Sequence, residues 1–150
     1  MLYNTLKFLH IVLAIIAVGY VMTFGLILSR AAKADQDGRE LKYALQTVRL
    51  MSNIANACFV LLVLIGAWLV QAGGFGWKPI WIHGSAALFL IAFGIGIFAL
   101  GPIVRRRLAI LETRGPSDPE FVKLSKRSAM LGALAGLITL VIVWMMVAKP

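Results

Sequence analysis

Four long apolar stretches, at about residues 6–28, 54–70, 80–104 and 128–147, alternate with short polar segments along the chain. At 1.5 Å of rise per residue the first makes about 35 Å of helix, more than the roughly 30 Å of a bilayer's hydrocarbon core. The pattern therefore predicts four membrane-spanning helices. Between the first two, Asp35, Gln36, Asp37 and Gly38 predict a turn. Leu41, Leu45 and Val48 then recur at i, i+4 and i+7, with Arg39, Lys42, Gln46 and Arg49 on the other face. That segment predicts an amphipathic helix at the headgroup level leading into the second span.

The remaining connections carry their own punctuation. Gly73, Gly74 and Gly76 end the second span, and Trp68, Trp77 and Trp81 bracket the short link to the third as an interfacial aromatic belt. Pro102 predicts a kink near the end of the third span, and Gly94, Gly96 and Gly101 predict close approach of neighbours. Asp118, Pro119 and Glu120 form an N-cap, a first helical position and an acidic first turn. They predict a helix that starts in a polar region and enters lipid after Arg127 and Ser128.

Composition agrees with this pattern. The 150 residues are 61% hydrophobic and 14% charged, and the mean hydropathy is +0.90, values beyond those of an ordinary soluble domain. No linker or low-complexity tract divides the chain, so residues 1–150 are expected to form one four-span domain, an all-α integral membrane four-helix bundle. Twelve of the fifteen Lys and Arg, and all six acids, fall at 30–49 and 105–127. By the positive-inside rule both basic segments are cytoplasmic, both termini are on the non-cytoplasmic side, and the location expected is a bacterial inner membrane. The net charge of +9 therefore orients the chain and does not predict a nucleic-acid partner.

Candidate chemistry is sparse. The single cysteine, Cys58, leaves no intramolecular disulfide and no Cys-rich metal site. The sequence offers no paired-carboxylate, Ser-His-Asp or phosphate-cradling arrangement. Asn53 and Asn56 are expected to hydrogen-bond between helices. The two histidines are more informative. His10 and His83 each lie about one turn inside a span, and both spans run in the same direction, so the imidazoles are expected at one depth near the outer boundary.

Neutral imidazoles on facing helices can ligate haem b, here between spans one and three. Ala14, Ala17, Gly84 and Ala87, on or beside the histidine faces, would leave room for the macrocycle or else let helices pack tightly. Met145 and Met146, beside Trp144, lie at the same level on span four and would complete a soft site for copper with the histidines.

Leu6, Lys7, Phe8, Leu9 and His10 with the apolar run to Gly19, together with the terminal Met146, Val147, Ala148, Lys149 and Pro150, resemble a bacterial family of uncharacterised integral membrane proteins of this size. The Lys-x-x-His opening is also similar to that of HemJ-type protoporphyrinogen oxidases and, more loosely, CopD-type membrane proteins. Trp81, Ile82 and His83 look like the Trp-Leu-His of the former. The resemblance implies haem b binding at His10. Where HemJ-like sequences carry a lysine two residues after the second histidine this chain has Ser85, so their oxidase activity is not carried over with it.

Three readings follow from the residues. The first is a haem b protein, possessing His10 and His83 as ligands, that exchanges electrons with a quinone or another redox partner and is an oxidoreductase if it is an enzyme. The second is a cofactor-free accessory subunit of a larger membrane complex or homo-oligomer. The third is a copper-handling protein using His10, His83, Met145 and Met146. The lipid bilayer is a partner in all three.

Overall fold

A computed structural model describes residues 1–34, 38–74 and 78–149. The predicted turn residues Asp35, Gln36 and Asp37, the belt residue Trp77 with Gly76, and Pro150 lie outside the described residues. The elements are α1 (Leu2–Ala34), α2 (Arg39–Ala72), α3 (Ile80–Gly94), a π-helical segment (Ile95–Leu100), α4 (Gly101–Thr113) and α5 (Pro119–Ala148). The third span, π segment and α4 form one rod, Ile80–Thr113, so four helical rods are long and apolar enough to cross a membrane.

Local chemistry explains where the rods begin and bend. The Asp118 side chain accepts hydrogen bonds from the backbone N–H groups of Glu120 (2.8 Å) and Phe121 (3.3 Å), satisfying two orphan donors at the start of α5. Gly38 precedes α2 at φ 81° and Gly74 follows it at φ 66°, a region that costs other residues a steric clash. In the third rod Pro102 has no N–H for the preceding turn, and its ring would meet the carbonyl four residues back. The chain resolves this with a wider turn, in which the Gly101 N–H donates to the Gly96 carbonyl. The predicted kink is thus a π turn.

The rods form a ring. α1 packs along α2, α2 meets α4, α4 and α3 pack on α5, and α5 returns to α1. Phe59 of α2 meets Phe89 and Phe93 of α3 edge-on, with centroids 5.6 and 6.3 Å apart. No Cα of α1 comes within 8 Å of one in α3.

Inside the spans, glycines receive side chains from the next helix. A Cβ at Gly66 would lie 3.1 Å from His10, one at Gly84 2.5 Å from Met145, and one at Gly136 3.6 Å from Met22. Hydroxyls in the spans donate to carbonyls of their own helix, Thr23 to Tyr20 (2.9 Å) and Thr139 to Ala135 (2.8 Å).

The densest core lies at the end of the ring that carries the basic segments. The 33-residue α1 and 34-residue α2 reach about 50 Å, roughly 20 Å beyond a hydrocarbon core. The surplus turns form a cap in which Leu41, Leu45, Leu108, Ile110, Leu111 and Phe121 are buried together.

The segment beginning at Arg39, expected to be an amphipathic helix leading into the second span, is the first part of α2 and continuous with that span. Its apolar stripe is 3%, 0% and 3% exposed at Leu41, Leu45 and Val48. Protein, rather than lipid, buries that stripe. Around the cap Lys42 pairs with Glu112 (2.8 Å), Arg114 with Asp118 (3.4 Å) and Glu120 (2.9 Å), and Arg106 with Glu120.

Candidate functional site

His10 faces inward from α1 on the stripe of Leu6, Ala14 and Ala17, of which Leu6 and Ala17 are buried and Ala14 half-buried. The half-buried imidazole sits in the α1–α2 seam against Gly66, where the missing Cβ makes its space. Its Nδ1 is buried with no hydrogen-bond partner among the described residues.

His83 is placed differently. It lies on the exposed face of α3 with Ala86, Ala87 and Leu90, whereas Ile82 and Ser85 of the same helix face inward. Ser85 is 1% exposed and donates to the Trp81 carbonyl one turn back.

His10 is thus half-buried against α2, and His83 is exposed on α3. Ala87, an expected lining residue on α3, is exposed like His83, whereas Ala14 is half-buried like His10. Met145 fills the notch at Gly84, while Met146 is 38% exposed and Trp144 60%. Among the described residues no three His, Cys, Asp or Glu side chains gather as a metal-binding group. Cys58 and Asn56 are half-buried and Asn53 is exposed; among the described residues no hydrogen bond joins either asparagine to another helix, contrary to expectation.

The cap holds a site that the charge run concealed. Arg107 is 4% exposed. Its guanidinium carbon lies 5.0 Å from the centroid of the Phe121 ring, and Nη1 donates to Ser128 Oγ at 3.3 Å. Among the described residues Nε is buried without a partner and no carboxylate pairs with the group. Burial lowers its pKa to about 10, leaving it charged at neutral pH.

The signal was present in the sequence. Ile103, Arg107, Ile110 and Leu111 share one helical face at i, i+4, i+7 and i+8, and all four are buried. Two cavities also lie at this end. One of about 410 Å³ lies between the end of α1 and the start of α2, beside Ala31, Arg39 and Tyr43. The other, of about 270 Å³, lies between Ala32, Leu41, Phe121, Ser125 and Lys126.

Four apolar rods closed into a ring define a multi-span helical membrane protein. Residues 4–150 match the family described as a predicted integral membrane protein (DUF2269), and the chain belongs to it. No curated protein and no solved structure matches the chain.

Proposed function

We propose that the protein is a non-catalytic subunit of a larger membrane complex, a four-span anchor that presents its helical cap to the other components. The basic end is the cytoplasmic one in this reading, with the termini on the opposite face of a bacterial inner membrane. The observation that carries it is where the buried core lies. A cluster of buried apolar side chains lies in the cap, while notches between spans are filled by side chains of adjacent helices. A scaffold needs rigidity at the end it presents, and the cap supplies it.

One observation favours a second reading, haem b held by His10. An imidazole about a turn inside a span, its Nδ1 buried without a hydrogen-bond partner among the described residues, is costly, and ligation is one use for it. The similarity of the Lys7-x-x-His10 opening to HemJ-like proteins points the same way. Bound haem would add one-electron chemistry, and His10, in this arrangement the single inward histidine, would hold it.

One experiment separates the two. The protein is expressed with ample haem, extracted in mild detergent, and its native complex analysed by absorption spectroscopy and mass spectrometry. A fixed membrane partner that remains with His10→Ala and is lost when the cap is disrupted by Leu45→Asp is the expected result. A protein that elutes without partners and carries a Soret band abolished by His10→Ala would overturn the subunit reading in favour of haem.

A further inference from the structure

The outer side of α2 carries an apolar stripe that the described part of the chain leaves uncovered. Tyr43, Leu50, Ile54, Leu61, Leu64 and Trp68 are all exposed, Tyr43 by 73% and Leu50 by 63%. With Thr47 and Ala57 they recur at alternating steps of four and three residues over positions 43–68, about 39 Å of helix. Leu45, Phe59 and Gly66 lie on the opposite side of the same helix, toward the cap core, α3 and His10 of α1.

Lipid covers the part of this stripe inside the span and does not reach its beginning. Tyr43 precedes Ile54, where the apolar span starts, by 11 residues, which is about 16 Å of helix. The headgroup layer outside the hydrocarbon is roughly 5–8 Å deep on each side, so Tyr43 stands beyond it. An exposed ring at that level faces water unless protein covers it.

The surface beside Tyr43 has the shape of what would cover it. Glu40, Tyr43, Ala44 and Thr47, at i, i+3, i+4 and i+7, line the cavity of about 410 Å³, with Ile27 and Ala31 of α1 at its side. Such a diamond of four residues is the hole into which a knob from a facing helix inserts. Between parallel helices with this four-three spacing, the knob that meets the hole is the residue at its own level, the Tyr43 of a second copy. Two copies inserted in the same orientation present α2 in parallel, as that match requires. Among the described residues Glu40 has no ion pair, and its carboxylate can accept a hydrogen bond from the arriving phenol.

We propose that the protein forms a parallel homodimer along α2, with Tyr43 of each copy seated between Glu40, Tyr43, Ala44 and Thr47 of the other. Covering six large side chains on each copy, at roughly 60–120 Å² apiece, removes on the order of 1,000 Å² of surface, the size a specific interface needs. The dimer goes beyond both functional readings and requires neither.

The full-length protein, labelled with one fluorophore at its C-terminus, is reconstituted in lipid vesicles, and copies per complex are counted by single-molecule photobleaching. Two bleaching steps are expected. Tyr43→Asp, which alters an exposed side chain and keeps the helix content seen by circular dichroism, is expected to weaken association by about tenfold or more, because a carboxylate replaces a ring that the dimer buries. Phe98→Ala, at an exposed position away from α2, keeps two steps. In a Cys58→Ala background, a short bismaleimide is expected to join two copies of Tyr43→Cys and to leave Lys123→Cys, at an exposed cap position of α5, uncoupled.

Single-step bleaching of the unsubstituted protein at every density, undiminished pairing of Tyr43→Asp, or equal coupling at both cysteines overturns the proposal. A single copy that holds a different membrane protein through Tyr43 overturns it in favour of a contact between unlike chains.

Discussion

At the scale of single residues, a side chain's meaning depends on what lies across the helix seam. His10 is read from the sequence as one of a pair, but it is positioned by the absence of a side chain at Gly66. A methyl group added there would meet the ring at 3.1 Å, tighter than ordinary contact, and a half-buried imidazole has little freedom to retreat. Gly66→Ala is expected to cost about 1 kcal/mol net, the overlap outweighing a helix-propensity gain of similar size. In a His10→Ala background the same substitution should become stabilising. Equilibrium unfolding of all four proteins in micelles measures the coupling, and purely additive effects would show that the two residues do not share the seam.

At the scale of elements, the helix ends and their connections follow from local chemistry. The α4–α5 link is held by Asp118 capping α5 and by Glu120 accepting from Arg114 and Arg106. Hydrogen bonding from Arg114, joined by that from Arg106, lowers the Glu120 pKa below the usual carboxylate value. The folded state therefore prefers the charged form. Its contribution is present above the unfolded pKa and disappears as pH falls through the lower, folded one.

Glu120→Gln should accordingly reduce the thermal midpoint by a constant amount over about pH 6 to 8, a difference that closes on acidification below the carboxylate range. A difference independent of pH down to full protonation would show that charge is not its source. The π turn before Pro102 belongs to the same scale. Proline predicts a disturbance, but a bend, a break and a wide turn all relieve its clash, and packing of Phe89 and Phe93 on Phe59 holds the α3 side of this one.

At the scale of the whole molecule, the clustered buried core lies in the cap, outside the apolar spans. Leu45 is 0% exposed in the cap, whereas Leu61 in span two is 48% exposed. Leu45→Ala is expected to cost about 2–5 kcal/mol through lost burial and a cavity, and Leu61→Ala to stay within about 0.5 kcal/mol, since lipid replaces the contacts it loses. Unfolding of both variants in the same micelles checks the contrast. Equal losses would place the stabilising core among the spans.

Four spans, the capped start of α5, the glycine-ended α2 and the amphipathic stripe at Leu41, Leu45 and Val48 were legible because each depends on neighbours within a few turns of the same chain. Tertiary structure alone decided what that stripe touches, which way His83 turns, and that Arg107 leaves the solvated charge run for the interior. Helical periodicity defines a face without naming its partner. Rotation about a rod's axis is settled by packing between rods, and that packing put His10 against Gly66 and Arg107 against Phe121.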